Sequence, residues 1–252
     1  KIYLDGTAVT GTDIEVTQTL EDENIYAFYG ELNEGTLYLP IEFGGSRSKA
    51  IVPNAKGSHD INDGTTNIFS QADRAKTDEE YWEIPSAGKY RIVVDIELKT
   101  IAIYSEAKDM PLKRYSWNNT VDKINPFEAD VTNLWMWGSF DSEANKSVAS
   151  DKYIMTPSKA SPYIFTYSGA LNKGYVKFLV SKIQNNVYAF GADDVGNKSK
   201  NSYKDVKLEV KTPMVGGQGD NRYCFFNIPE GTNFIVVDIT DDANPTVVFS
   251  KR

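Results

Sequence analysis

The chain repeats itself, and this repeat limits its fold more than any other feature of the sequence. Three segments recur in the same order in both halves of the 252 residues: residues 2–6 and 134–138, residues 25–35 and 164–174, and residues 88–96 and 231–239. The last pair ends in the same five residues, IVVDI, in both copies. Chance does not supply three ordered matches, so the chain is predicted to hold two tandem copies of one module.

Each copy has the pattern of an all-β module. Short alternating segments are separated by turn residues, and the motif Leu-Asn-x-Gly at 32–35 and 171–174 predicts a hairpin turn whose glycine adopts a positive φ. Fifteen Tyr and twelve Phe, with many Val, Ile and Thr, favour strands. The sequence therefore predicts two tandem β-sandwich domains, immunoglobulin-like or carbohydrate-binding-module-like, with at most a short helix within 70–81.

Turn-rich sequence marks the boundary between the copies. We expect a first β-sandwich module at residues 1–110, a linker at 111–132 that contains Pro111 and Pro126, and a second module at 133–252.

Strand alternation, compared between copies, predicts which side chains face outward. In the first strand, the face opposite the apolar one carries Tyr3 and Asp5 in copy one, and Trp135 and Trp137 in copy two. A position that accepts Asp5 is rarely buried, so the two tryptophans are expected side by side on a solvent face. An equally good alternative is that a loop or the linker covers this strand in copy two.

A later strand repeats the comparison. Its core face is apolar in both copies: Leu37, Leu39 and Ile41 in the first, Val176, Phe178 and Val180 in the second. Tyr175 and Lys177 are therefore predicted to point outward, like Thr36 and Tyr38. A lysine there ordinarily solvates a sheet edge. The recurring Asp95 and Asp238 are expected to stabilise a turn or a sheet edge.

Several classes of function are disfavoured by composition. The net charge is −8 without a basic cluster, which disfavours nucleic acid. No apolar stretch has the length of a membrane-spanning helix. The single Cys224 excludes an internal disulfide and is expected to be a small buried residue. No metal or cofactor motif is present, although residues 60–64 and 193–197 have some character of a calcium loop.

An enzyme is not expected either. A glycosidase needs two carboxylates held in a cleft, and two small repeated modules do not form a deep cleft. Two alternatives stay open beside a binding protein: a structural adhesin or pilus-like subunit, and the carbohydrate-binding portion of a glycoside hydrolase.

Aromatic rings next to a lysine or an amide suit carbohydrate, because sugar C–H faces stack on rings while hydroxyls need fixed polar partners. In these residues the chain resembles the SusE/SusF-type outer-membrane glycan-binding lipoproteins. The resemblance lies in the first strand ending in Gly138, residues 164–174, the run Val176-Lys177-Phe178 and residues 235–239. It covers copy two well and copy one loosely.

The resemblance implies a sugar site of aromatics close to a lysine. By position the lysine is Lys177, the first-strand aromatic is Trp137 or Trp135, and Tyr188 stands where the family has a tryptophan. Copy one, with Tyr38 in the lysine position, is expected to be a spacer. The family further implies an exported, lipid-anchored protein at the outer-membrane surface that binds polysaccharide or oligosaccharide beside a SusC/SusD-like pair, with the membrane contacted only through an anchor outside this chain.

Overall fold

The computed structural model describes residues 1–116, 128–182, 188–192, 203–218 and 225–252. The chain divides into two compact units, Lys1–Met110 and Pro111–Arg252. Both are built from strands, which confirms the all-β class. Among the described residues, no helix has the length and apolar character that a bilayer span requires.

The first unit is a closed sheet. Its strands are β1 (Ile2–Leu4), β2 (Ile14–Gln18), β3 (Ile25–Leu32), β4 (Gly35–Leu37), β5 (Leu39–Phe43), β6 (Ser46–Pro53), β7 (Thr66–Asp73), β8 (Trp82–Ile84), β9 (Gly88–Asp95) and β10 (Thr100–Ser105). The ring runs β1-β2-β3-β9-β10-β7-β6-β5 and closes where β5 pairs with β1, while β4 and β8 form a separate ribbon.

The second unit has the same strand order. Its strands are β11 (Lys113–Ser116), β12 (Glu128–Val131), β13 (Leu134–Gly138), β14 (Ile154–Pro157), β15 (Ile164–Ser168), β16 (Tyr175–Leu179), β17 (Tyr188–Ala192), β18 (Tyr203–Asp205), β19 (Thr212–Gln218), β20 (Phe225–Asn227), β21 (Phe234–Asp238) and β22 (Thr246–Ser250). The ring β13-β14-β15-β21-β22-β19-β17-β16 closes through the pairing of β13 with β16. Strands β20 and β18 extend it beside β16, and β11 pairs with β12 within residues 111–132.

The sandwich description is not confirmed. A sandwich keeps two sheets apart, whereas β1 hydrogen-bonds to β2 on one edge and to β5 on the other, and β13 bridges β14 and β16 in the same way. Each unit is therefore barrel-like, with its apolar residues inside the ring.

The predicted hairpin at Leu-Asn-x-Gly is wrong. Strand β3 already has β2 on one edge and β9 on the other, up to the pair of Leu32 with Gly88, so β4 pairs with β8 and the chain rejoins the ring at β5. The glycine itself behaves as expected, with φ of +145° at Gly35 and +153° at Gly174. Hairpins do form elsewhere, for example between β9 and β10 and between β21 and β22.

One recurring glycine reflects a close approach of two strands. A Cβ on Gly138 would lie 1.7 Å from the carbonyl oxygen of Tyr175, and a Cβ on Gly6 would lie 2.2 Å from that of Thr36. Gly138 ends β13 and faces β16, the strand that closes the second ring, while Gly6 follows β1 and faces β4. Glycine is required there because any side chain would push the strands apart.

The predicted core faces are confirmed. Residues apolar in both copies lie in the interior: Ile2, Leu4, Leu37 and Leu39 in the first unit, and Leu134, Met136, Val176 and Phe178 in the second. Ile41 and Val180 are partly buried against the same clusters.

The turn role of the recurring aspartates is also confirmed. The Asp95 carboxylate accepts a hydrogen bond from the Leu98 N–H at 2.8 Å, and that of Asp238 from the Thr240 N–H at 2.9 Å. In place of the short helix considered within 70–81, β7 runs to Asp73 and a 3₁₀ turn follows at Arg74–Lys76.

Candidate functional site

A row of side chains crosses four neighbouring strands on the outer face of the second unit. Strand pairing aligns Trp137 on β13 with Lys177 on β16, and Phe225 on β20 with Tyr203 on β18. The pair of Val176 with Phe226 places Phe225 beside Lys177. The row therefore runs Trp137, Lys177, Phe225, Tyr203, with strands about 4.8 Å apart.

Lys177 is fully buried within this row, although it faces outward as predicted. Its ammonium nitrogen lies 4.7 Å from the centroid of the Trp137 ring and 4.9 Å from that of Phe225. A cation is stabilised over aromatic faces, more so away from water. The expectation that this lysine solvates a sheet edge is wrong, because its side chain is fully buried and contacts two aromatic rings.

The two tryptophans are half-buried under a segment that we call the strap, residues 139–152. The Trp137 indole N–H donates to the Lys146 carbonyl oxygen at 2.9 Å, and the Trp135 indole N–H donates to the Asp151 carboxylate at 3.2 Å. Both rings pack beside Ala149 of the strap. The alternative in which a loop covers this strand is the one that the structure shows.

Ion pairs hold the strap at its ends. The Lys182 ammonium pairs with Asp151, and that of Lys152 with Asp141 at 3.4 Å. The hydrogen bonds from the Lys182 and Trp135 side chains lower the pKa of Asp151. The pKa of Asp141 is lowered first by the backbone N–H of Glu143, and further by Tyr153 and Lys152. Both carboxylates are therefore charged at neutral pH.

The row becomes accessible at its other end. Tyr203 is 43% exposed and lies 4.8 Å from Tyr175 and 5.9 Å from Phe225, measured between ring centroids. The Tyr203 and Tyr175 rings border an open pocket of about 340 Å³, lined by Lys173, Gly174, Tyr175, Tyr203, Asp205, Asn227 and Ile228. Burial, with the neighbouring Tyr203, raises the pKa of Tyr175, which therefore keeps its hydroxyl proton at neutral pH.

Polar side chains lie in the next row of the same face. Asn227 on β20 pairs with Asp205 on β18 at one edge and with Tyr175 on β16 at the other. The Asn227 amide donates to the Asp205 carboxylate at 2.7 Å. Lys173 at the rim forms an exposed ion pair with Glu230 at 3.2 Å. The pocket thus combines a ring surface with fixed donors and acceptors.

The structure brings together only part of the predicted site. Trp137 and Lys177 are in contact, whereas Trp135 lies two residues earlier on β13, opposite Leu179. Tyr188 begins β17, and its side chain lies outside the described residues. Asn227 was missed, and so were Tyr203 and Asp205, whose strand β18 has no recognisable counterpart in the sequence of copy one.

The candidate calcium loop at residues 60–64 uses its carboxylates internally. Asp63 accepts hydrogen bonds from both the backbone N–H and the hydroxyl of Ser105, and Asp60 accepts one from the Asn62 N–H. Within the part of the chain that the structure describes, no group of three or more His, Cys, Asp or Glu side chains is placed to hold a metal ion. Residues 193–197 and Cys224 lie outside the described residues.

The first unit places different chemistry at the matching positions. Asp5 and Tyr38 form the pair that corresponds to Trp137 and Lys177. Asp5 is ion-paired with Arg74, and Tyr38 packs on a small apolar cluster that includes Val52. The aromatic row around a lysine therefore belongs to the second unit.

Comparison with known proteins shows no family. No family model matches the chain, and no curated protein matches it. Among solved structures, the chain is similar to the crystal structure of SusF from Bacteroides thetaiotaomicron, with 15% identity and a TM-score of 0.31 over 99% of this chain and 48% of that chain. The chain spans about half the length of that protein. A likeness at this level carries no argument about function, so function is inferred from the site.

Proposed function

We propose that this chain is a non-catalytic glycan-binding protein whose second unit holds the sugar site. The observation that carries the proposal is the exposed ring of Tyr203, held by Tyr175 and Phe225 at the edge of a pocket with fixed polar groups. The pocket, at about 340 Å³, lies at the small end of the range for ligand sites, about 300–1,000 Å³.

The chemistry of the pocket suits a sugar ring. One face of a pyranose is lined by C–H groups that stack on an aromatic ring, and its edge carries hydroxyls that both donate and accept hydrogen bonds. Tyr203 supplies the ring, while Asp205 and Asn227 supply acceptors and a donor. A shallow site of this kind is expected to bind with a dissociation constant of about 10–1000 μM, because little surface is desolvated.

The lining gives no support to glycoside hydrolysis. Two carboxyl groups about 5–9.5 Å apart are needed for that reaction. Among the described residues that line the pocket, Asp205 is the one carboxylate. We therefore propose that binding is the whole activity of this site.

In this proposal, the residues that the family resemblance implied do not all contact the sugar. Lys177 and Trp137 contact Phe225 on one side, and Phe225 contacts the exposed Tyr203 on the other. They act as supports for the sugar platform. Trp135 packs under the strap, and Tyr188 stays a prediction from the sequence.

The wider role that we propose follows the sequence resemblance to the SusE/SusF-type proteins. The chain would act at the outer-membrane surface as part of a lipid-anchored protein beside a SusC/SusD-like pair. It would hold polysaccharide for uptake.

Affinity electrophoresis tests the proposal. The full chain is run in native gels cast with starch, xylan, mannan, galactan or mixed-linkage β-glucan, and reducing ends are assayed after long incubation. We expect slowed migration in at least one gel and no new reducing ends. Migration unchanged in every gel, or release of reducing ends, would overturn it.

A further inference from the structure

The side chains of Asp205 and Asn227 are placed to hydrogen-bond to hydroxyls of the bound sugar. This inference rests on the proposed function and names which part of the glycan the site recognises. We propose that the pair binds two adjacent hydroxyls of a neutral pyranose stacked on Tyr203, and that the site rejects acidic glycans.

The geometry supplies complementary groups side by side. The two residues are opposite each other on parallel strands, and the Asn227 Nδ2 donates to the Asp205 Oδ1 at 2.7 Å. This bond fixes the orientation of both side chains. Within the described residues, neither Oδ2 of Asp205 nor Oδ1 of Asn227 accepts a hydrogen bond, and one amide hydrogen of Asn227 is still available.

Adjacent hydroxyls match this arrangement. One hydroxyl donates to the Asp205 carboxylate, which makes a charge-assisted hydrogen bond, and its neighbour bonds the Asn227 amide. The Tyr203 ring lies two residues before Asp205 on the same face of β18, because alternate residues of a strand share a face. A sugar stacked on the ring therefore presents its edge to the pair.

Charge at the pocket favours a neutral ligand. Asp205 is negative, and the ammonium of Lys173 at the rim is already paired with the Glu230 carboxylate. A uronic acid would bring its carboxylate toward Asp205 without an uncompensated cation among these residues to receive it. Like charges at short range disfavour binding.

The first unit offers an internal comparison. The pairing of Thr36 with Glu83 corresponds to that of Tyr175 with Asn227, and Asp60 bridges Glu83 as Asp205 bridges Asn227. Two acids replace the acid–amide pair there, and the amide donor is lost. The first unit is therefore not expected to bind sugar hydroxyls through this pair of positions.

The test uses two isosteric variants, Asp205→Asn and Asn227→Asp, in the full chain. The control is Asp73→Asn, which changes an exposed carboxylate at the end of β7 in the first unit. All four proteins are compared in gels cast with the neutral polysaccharide that retains the unmodified chain and in gels cast with polygalacturonate. Thermal unfolding by circular dichroism verifies that each variant is folded.

We expect retention by the neutral polysaccharide alone, about tenfold weaker binding for each pocket variant, and no change for Asp73→Asn. If the unmodified chain binds a neutral polysaccharide and both pocket variants bind it as tightly, then Asp205 and Asn227 do not bind the sugar hydroxyls. The proposed function still stands in that case. Equal retention by polygalacturonate also overturns this inference alone. Retention by no polysaccharide overturns both.

Discussion

Lys177 and Trp137 face each other across β13 and β16, with the lysine ammonium 4.7 Å from the centroid of the indole ring. The lysine is fully buried and also contacts the Phe225 ring. Its aliphatic stem fills space between the rings while its charge interacts with their faces. This contact links the half-buried tryptophan at one end of the row to the exposed Tyr203 at the other.

Truncating the buried lysine should destabilise the second unit. Lys177→Ala removes both the stem and the cation, and we expect a loss of about 2–4 kcal/mol in the free energy of unfolding. The exposed Lys207→Ala should change it by no more than about 0.5 kcal/mol. Urea unfolding of the full chain, followed by tryptophan fluorescence, measures both. Equal stability of the two variants would show that Lys177 does not support the row.

Substitution of Gly138 should destabilise the second unit, because β13 and β16 approach closely at this residue. Gly138→Ala places a methyl group 1.7 Å from the Tyr175 carbonyl oxygen, so β13 and β16 must separate, at a cost of about 3 kcal/mol or more. Gly88→Ala is the matched control, because no atom lies within 4 Å of its added Cβ. That change should be neutral or stabilise by up to about 1 kcal/mol. Thermal unfolding with similar midpoints for both variants would contradict the account.

The sequence alone predicts the parts of this fold that depend on local pattern. Alternation with period two placed Leu134 and Met136 inside, since a strand has only two faces. Gly174 marked a turn, but a turn residue does not say which strands will pair, and the expected hairpin failed. Ring closure through β1 and β5 is a long-range contact that no local pattern encodes.

The site was predictable only in its centre. The comparison of copies predicted that Lys177 and Trp137 face outward, because both lie on strands that recur, and the family resemblance placed Trp137 or Trp135 close to the lysine. Burial of the lysine depends on Phe225, which comes from a strand much later in the chain. The exposed Tyr203 lies on β18, where copy one shows no matching sequence, so comparison of the copies could not find it.

Acid should loosen the strap over Trp135. The folded-state pKa values of Asp151 and Asp141 are lowered, so their stabilisation is complete above the unfolded pKa of about 3.9 and is lost as the pH falls through the folded values. We expect the urea midpoint to fall as the pH drops below about 4, and to fall less steeply in Asp151→Asn. The same slope in that variant would show that the Lys182–Asp151 ion pair contributes nothing to the pH dependence of stability.

Removal of the Trp137 side chain should affect stability as well as binding. Its half-buried ring packs on the Lys177 ammonium and its N–H donates to the strap, so Trp137→Ala is expected to cost about 2–3 kcal/mol, less than the loss of a fully buried aromatic. A fluorescence-detected urea titration measures this. An unfolding free energy equal to that of the unmodified chain would place the ring in solvent, which was one of the two alternatives left open by the sequence.

The most direct test of the glycan-binding claim compares two exposed tyrosines. Tyr203, 43% exposed, borders the proposed site, and Tyr29, 46% exposed, lies on the outer face of the first unit. Titration calorimetry with an oligosaccharide of the retaining polysaccharide should show Tyr203→Ala binding roughly tenfold more weakly, which corresponds to about 1.4 kcal/mol for a stacked ring. Tyr29→Ala should bind like the unmodified chain. Unchanged affinity in a folded Tyr203→Ala protein, or an equal loss in Tyr29→Ala, would contradict the account.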